Sequence, residues 1–349
     1  MRSALARYRR PLTIVAAAVV LGLAGAWYVR HVNWSSTLAV VRHASLLILG
    51  LATAFHLVSL LSKAGAWFVC LRALGAARYR IVARATLVGA TLNGLFMGSV
   101  GEAGRVMIMT RATGWRTYAV LTTVALERLL NTAGFVAVLC VALVVTPLRI
   151  AAAPAAFAAA ALIAAAVWLA RTAQRQKRSA VARRSGGRVR RFQRVCRIHV
   201  RRIERVARRI ITPRRLVVAV PLTLLDWTCQ LVSYHLVARA AHLPLGITGS
   251  LVALLAVNVG LVARVTPGNI GVFELAYATA AHSLGAPMDA ALGVGMLIHL
   301  AQDLPTIVLG VILGPRLVFA RDRTAMPAPA SASVVGPAIY APSPTGIIP

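Results

Sequence analysis

Eight acidic residues in a chain of 349 make each carboxylate a candidate for chemistry. Glu102, Glu127, Asp226, Glu274 and Asp303 lie within or beside apolar runs, whereas Glu204, Asp289 and Asp322 read as ordinary surface groups. An uncompensated charge at the centre of a bilayer costs about 2.5–3.5 kcal/mol on insertion scales, so each of the five must pair or face water. Cations stand nearby at Arg105, Arg128 and His299. Glu127 and Arg128 are adjacent, so on a helix they diverge by about 100° and each needs a partner elsewhere. A guanidinium fork matches a phosphate bidentately, which makes Arg105 and Arg128 candidate phosphate-binding groups. Glu102 and Glu274 would then hold those arginines and cap the N-termini of broken helices. Alternatively, Glu102–Arg128 and Glu274–His299 are internal bridges that hold the spans together, and the two roles can coexist.

The elements that must position these groups are interrupted apolar segments. Residues 266–274, Thr-Pro-Gly-Asn-Ile-Gly-Val-Phe-Glu, sit between apolar stretches at 251–265 and 275–284. Pro267 has no N–H to donate, and Gly268 and Gly271 permit turns closed to other residues. Glu274 then falls on the first turn of the resuming helix. A broken helix at membrane depth is tolerated only where it is buried in protein or lines a polar cavity. Residues 85–104 are the counterpart, glycine-rich (Gly89, Gly94, Gly98) with a polar Asn93 and the run Gly101-Glu-Ala-Gly-Arg105.

Composition sets the class. The chain is 59% hydrophobic with a mean hydropathy of +0.75, which describes an all-α polytopic membrane protein. Lys and Arg number 39, and the formal net charge is +31. Most of this base flanks apolar spans, as cytoplasmic membrane loops do, so anionic lipid is the expected partner and nucleic acid is not. Full spans are expected at residues 11–29, 44–71, 117–145, 148–170, 216–237 and 290–314. The first could be a signal peptide, with Ala24-Gly-Ala26 resembling a cleavage site, but its length and the spans that follow favour an uncleaved span.

Counting basic loops decides the rest of the topology. Were residues 85–100 a full crossing, Arg105, Arg111, Arg116 and the basic run at 171–215 would all lie outside. A re-entrant hairpin at 85–104 and another at 251–284 place every basic loop, and both termini, in the cytoplasm of a cell with its plasma membrane as the site. Six full spans and two re-entrant broken hairpins result. Residues 1–43 form an N-terminal span and outside loop, 44–145 a first repeat unit, 146–170 a connecting span and 171–214 a cytoplasmic basic arm. Residues 215–315 form a second repeat unit and 316–349 a disordered tail rich in Pro, Ala and Ser. Glu102 and Glu274 fall at nearly the same depth in their units, and the units start on opposite sides, the mark of an inverted repeat that translocates substrate by alternating access. In the basic arm, Phe192, Val195, Cys196, Ile203, Val206 and Ile210 recur near helical spacing. That fits an interfacial amphipathic helix on an anionic leaflet, or equally a solvated loop that only fixes orientation.

Catalytic motifs are not found. Cys70, Cys140, Cys196 and Cys229 show no CxxC spacing, the histidines no HExxH pair, and the chain no GxxxxGK[ST] loop. No metal, cofactor or enzymatic activity is expected. A reading with Glu102 or Glu274 as the base of an intramembrane enzyme has no nucleophile to support it.

Gly101-Glu-Ala-Gly-Arg105, Glu127-Arg-Leu-Leu-Asn131 and residues 266–274, in this order and spacing, resemble the flippase-like integral membrane family, also named for the transmembrane region of lysylphosphatidylglycerol synthases. The likeness covers roughly residues 44–315. It implies a helical bundle that handles lipid, moving a lipid headgroup between leaflets. Some members carry a soluble domain that transfers an aminoacyl group onto phosphatidylglycerol. The chain leaves no room for one, and synthase activity is not expected. Asn131 stands where an acid is usual, Asn269 replaces a glycine of a Pro-Gly-Gly turn, and His299 takes the place of an arginine, so the substrate is expected to differ from that of better-known members.

The expected substrate-binding set is Glu102, Arg105, Glu127, Arg128, Asn131, Asp226, Pro267, Gly268, Gly271, Glu274, His299 and Asp303. The expected function is translocation of an anionic phospholipid or lipid-linked headgroup. The competing one is a non-transporting scaffold for a lipid-modifying or glycosyltransferase partner.

Overall fold

The computed structural model describes residues 34–96, 100–145, 206–207, 209–261 and 266–318. They are helical, with no strand among them. In chain order they form α1 (Trp34–His43), α2 (Leu46–Leu71), α3 (Tyr79–Leu95), α4 (Val100–Thr113), α5 (Thr117–Val145), α6 (Pro213–Ala240), α7 (Ile247–Gly260), a 3-10 turn (Pro267–Asn269), α8 (Val272–His282) and α9 (Met288–Val318).

Four helices among the described residues are long and apolar enough to cross a bilayer: Leu46–Leu71, Thr117–Ala142, Pro213–Ala240 and Met288–Gly314. The shortest has 26 residues, a rise of about 39 Å against a hydrocarbon thickness of about 30 Å. Their outer faces are apolar and open, with Leu47 on α2 and Val144 on α5 each 86% exposed. Such faces belong against lipid. These four coincide with expected spans. The two others, at 11–29 and 148–170, lie outside the described residues, as does nearly all of the tail.

Both broken segments fold back on themselves. In the first, α3 ends where Phe96 turns extended, and α4 starts at Val100. Gly89 then lies against Gly101 and the stem of Arg105, and Leu92 against Gly104. The backbones are so close that a methyl group on Gly101 would overlap the Gly89 carbonyl oxygen. Gly101→Ala should therefore lower stability by about 1–3 kcal/mol through overpacking. Gly50→Ala on the open face of α2 meets nothing within 4 Å and should be neutral or mildly stabilising. Thermal unfolding of the two purified variants checks the contrast.

In the second hairpin α7 and α8 are joined through the 3-10 turn. Gly268 (φ 60) and Gly271 (φ 85) adopt the left-handed backbone expected of them. So does Asn269 (φ 59), and asparagine tolerates that region better than other residues with a Cβ. Gly260 against Ala276 and Gly249 against Leu284 close the antiparallel arms.

The first helices of the two units pack along their length in opposite senses. Ser45 N–H donates to the Ala240 carbonyl (3.0 Å) at one end, Ser59 meets Asp226 midway, and Gly65 touches Leu222 further on. The first hairpin reaches across to the second unit. Thr91 Oγ1 donates to the Thr306 carbonyl (2.9 Å), and Gly94 and Val88 face Asp303 and Gly314 of α9. Two core clusters form, one mainly from each unit, with Ala44 and Ala52 of the first unit packed into the second cluster. Trp67, Leu71, Val82, Met109 and Val120 anchor the first, and Tyr234, Leu254, Val257, Tyr277 and Ile298 the second.

Before α2, α1 packs on α9 through Thr37 Oγ1 to the Asp289 carbonyl (3.2 Å). One expectation changes. Val206 and Ile210 fall in the stripe that fits either an interfacial helix on an anionic leaflet or a solvated loop. Both are buried in the first unit's core, because a protein groove beside α2 and α5 covers them. The rest of that proposed arm helix, with Phe192, Val195, Cys196 and Ile203, lies outside the described residues.

Candidate functional site

The scarce acids gather into three clusters between the helices. The first joins the α4 side of hairpin one to α5. Glu102, on the first turn of α4, forms an ion pair with Arg128 of α5. Asn93 at the end of α3 supports it: its Nδ2 donates to Glu102 Oε1 (3.4 Å), and its Oδ1 accepts from Gly101 N–H (2.9 Å). One turn along α4, Arg105 Nη1 meets Glu127 Oε2 at 3.3 Å. Thus Glu127 and Arg128, adjacent in sequence, each take a different partner, as their 100° separation demands.

These two ion pairs differ in access. Arg105 and Glu127 are 4% and 2% exposed, and the guanidinium carbon lies 4.0 Å from the ring centre of Trp67. Trp67 is itself held by Nε1 donating to Thr123 Oγ1 (2.9 Å). Arg105 Nε and Nη2 and Glu127 Oε1 have no hydrogen-bond partner among the described residues. The Arg128 side chain, by contrast, is 41% exposed near the middle of an apolar span.

The second cluster ties α2, α5 and α6. Asp226 is buried and accepts from Ser59 Oγ (2.5 Å), Gln230 Nε2 (2.9 Å) and Asn131 Nδ2 (3.2 Å). Trp227 Nε1 donates to the Asn131 carbonyl (3.2 Å). Asp226 and Asn131 therefore meet each other and stand apart from the hairpin turns.

The third cluster lies in the second unit. Glu274 Oε2 accepts the Gly271 N–H (2.6 Å), closing the first turn of α8. Glycine has no side chain to reciprocate, so this is half of a capping box. Glu274 Oε1 meets His299 Nδ1 (2.6 Å), and His299 Nε2 meets Asp303 Oδ2 (3.0 Å). The imidazole stacks on Phe273 with ring centres 4.7 Å apart. Glu274 is thus anchored to His299, the bridge that the sequence offered as the alternative to an arginine partner, because α9 presents His299 beneath the α8 terminus.

The first and third clusters meet at Asn93–Gly94. Asn93 holds Glu102, and the next residue, Gly94, has Asp303 beside its Cα and the Gly268 turn against its carbonyl. Pro267 and Gly268 are placed by that contact, and Gly271 by its bond to Glu274. Sequence reasoning noted Asn93 but did not assign it a role. Its signal was an amide inside a glycine-rich apolar run. Trp67, Ser59 and Gln230 carried no signal of their own.

An apolar cavity of about 390 Å³ lies between α2, α5, α6 and residues 207–211. Leu126, Leu129 and Leu130, flanking Arg128 in sequence, line it together with Cys70, Ile210 and Arg215. Among the described residues no group of three or more His, Cys, Asp or Glu is arranged to hold a metal ion.

No curated protein matches the chain. The family model for the lysylphosphatidylglycerol synthase transmembrane region matches residues 14–310, taking in three of the four spans, most of the fourth, both hairpins and all three clusters, and the chain belongs to that family.

Proposed function

We propose that this membrane lipid-handling protein moves an anionic phospholipid, or an anionic lipid-linked headgroup, from one leaflet to the other. The observation that carries the reading is Arg128, a cation 41% exposed in the middle of an apolar span and paired with Glu102 at a helix break. A phosphate offers Arg128 the same bidentate geometry as a carboxylate, so a headgroup can exchange with Glu102. Asn93 and the α4 terminus hold the displaced Glu102. The apolar cavity beside Leu126, Leu129 and Leu130 supplies a surface for the acyl chains. Arg105, sealed under Trp67, fixes the hairpin on α5 and leaves phosphate contact to Arg128.

In this reading residues 85–104 and 251–284 are re-entrant hairpins within six full spans of the plasma membrane, and the termini and basic arm are cytoplasmic. The antiparallel first helices of the two units support an inverted arrangement, in which each hairpin serves access from one side. The protein acts as a transporter, not an enzyme.

Arg128→Gln should slow movement of a headgroup-labelled phosphatidylglycerol across liposome membranes by roughly tenfold or more, since a hydrogen bond to a charged group is worth about 1.5–3 kcal/mol. Arg128→Lys should retain part of the rate, having charge without the fork. Normal rates per folded molecule in Arg128→Gln would overturn the transport site and favour a scaffold for a lipid-modifying or glycosyltransferase enzyme.

A further inference from the structure

The arrangement of Glu274, His299 and Asp303 carries information about protons. Two ring nitrogens of one imidazole each lie at hydrogen-bond distance from a carboxylate oxygen, 2.6 Å on one side and 3.0 Å on the other. A lone pair facing a carboxylate oxygen at those distances is repulsive, so both contacts need a hydrogen. The direct nitrogen–oxygen contacts also leave no space for a cation between the groups. The three residues therefore share two protons, one in each contact. As an imidazolium between two carboxylates, the set has a net charge of −1.

Loss of one proton to water would leave a neutral ring, two carboxylates and a charge of −2. One of the two contacts must then open. Glu274 is the better anchored, being 11% exposed and also bonded to Gly271 N–H, whereas the Asp303 side chain is 38% exposed and makes the longer contact. The Asp303 contact is the one to yield. Asp303 is not in an isolated place. It rests on Gly94 at the end of α3, and the Gly268 turn of the second hairpin presses on the carbonyl of the same residue.

We propose that Glu274, His299 and Asp303 form a proton-binding site whose occupancy controls the junction between the two hairpins. Protonated, His299 draws both carboxylates inward and holds Asp303 against Gly94 with the turn seated. Deprotonated, Asp303 swings from the ring and the Gly94–Gly268 contact loosens. The proton leaves from His299 Nε2 to water by way of Asp303, and the reverse transfer restores the closed state. The coupling of this proton to lipid movement rests on the transport reading above; the proton site itself does not.

Every element packed around the ring contributes to this balance. From α8 come Glu274 and Tyr277, whose hydroxyl has no hydrogen-bond partner among the described residues. From α2, His56 Nε2 lies 3.4 Å from Thr306 Oγ1 on the next turn of α9 and is within electrostatic reach of Asp303 and Lys63. From α6, Tyr234 feels Asp303 and Tyr277. From α3 there is the uncharged Asn93–Gly94 pair, and α1 touches α9 through Thr37 and Val40 at Gly293. Among these, His299 is the cation in direct contact with both carboxylates.

The test uses the full-length protein carrying Ile270→Cys, at the exposed tip of the second hairpin, with its native cysteines replaced and an environment-sensitive fluorophore attached. The fluorescence should change with pH as a single-proton transition. His299→Gln, which cannot be an imidazolium, and Asp303→Asn, which keeps an acceptor for Nε2–H without the charge, should each abolish that transition. Having two variants guards against one that folds poorly. In liposomes containing phosphatidylglycerol, an imposed pH gradient should shift the wild-type steady-state lipid distribution between leaflets by up to about tenfold per pH unit, the limit for one proton exchanged per lipid. Both variants should lose that response.

A pH-independent tip in the wild type, or the same transition in both variants, would overturn the proton site. Lipid movement indifferent to the gradient would overturn its coupling while leaving lipid transport intact. A pH-dependent tip with no lipid movement under any condition would keep the proton site and overturn the transport reading.

Discussion

Glu127→Ala should destabilise the protein by about 3–5 kcal/mol, the cost of leaving a buried cation without its partner. Arg105 is 4% exposed, and its Nε and Nη2 have no other acceptor among the described residues. The Trp67 face, 4.0 Å from the guanidinium, offsets part of the loss, since a desolvated cation–π contact is worth about 2 kcal/mol. It does not replace a charged hydrogen bond. The double substitution Arg105→Met with Glu127→Leu removes both desolvation costs and fills the same space. It should recover most of the stability, as exchange of a buried ion pair for apolar groups often does. Unfolding of the two variants beside the wild type in detergent, followed by loss of the helical circular-dichroism signal, makes the comparison. Equal destabilisation in the single and double variants would show that the pair acts through more than its own charges.

Asp226→Leu is the second large effect, with a loss of about 3 kcal/mol or more. Three donors converge on this carboxylate from three helices: Ser59 on α2, Asn131 on α5 and Gln230 on α6 itself. Each buried donor left without an acceptor costs about 1–3 kcal/mol. Relief of the carboxylate's own burial works in the opposite direction, but the orphaned donors outnumber it. Asp226→Asn should be milder, because one amide oxygen still accepts and the Asn131 amide can turn over to offer its own oxygen. The readout is the unfolding midpoint of purified protein. The two variants should rank leucine below asparagine below wild type, and the reverse order would mean that the buried charge, not the three bonds, dominates.

Glu102, Glu127, Asp226, Glu274 and Asp303 were legible as groups that need partners within the bundle, because acids are so few and the surrounding runs so apolar. The spans at α2, α5, α6 and α9 were legible for the same reason, since twenty or more apolar residues in lipid have no alternative to a helix. The second break was written in Pro267, Gly268 and Gly271, whose backbone restrictions are local and act wherever the chain goes. Only the tertiary structure decided which acid meets which base. The run 101–131 allows Glu102 with Arg128 as a bridge but names no partner for Glu127; that Arg105 takes it depends on how hairpin one is rotated against α5, and each residue of helical register turns a side chain by about 100°. Nor could the sequence say that Trp67, far away on α2, seals Arg105 from any ligand and leaves Arg128 open. Val206 and Ile210 had the spacing of a lipid-facing stripe, yet an apolar stripe does not distinguish lipid from protein. They went inward because the groove beside α2 and α5 was there to receive them. Local chemistry is carried by the residue types, whereas partnership is set by the distances between elements, and those exist only once the helices have packed.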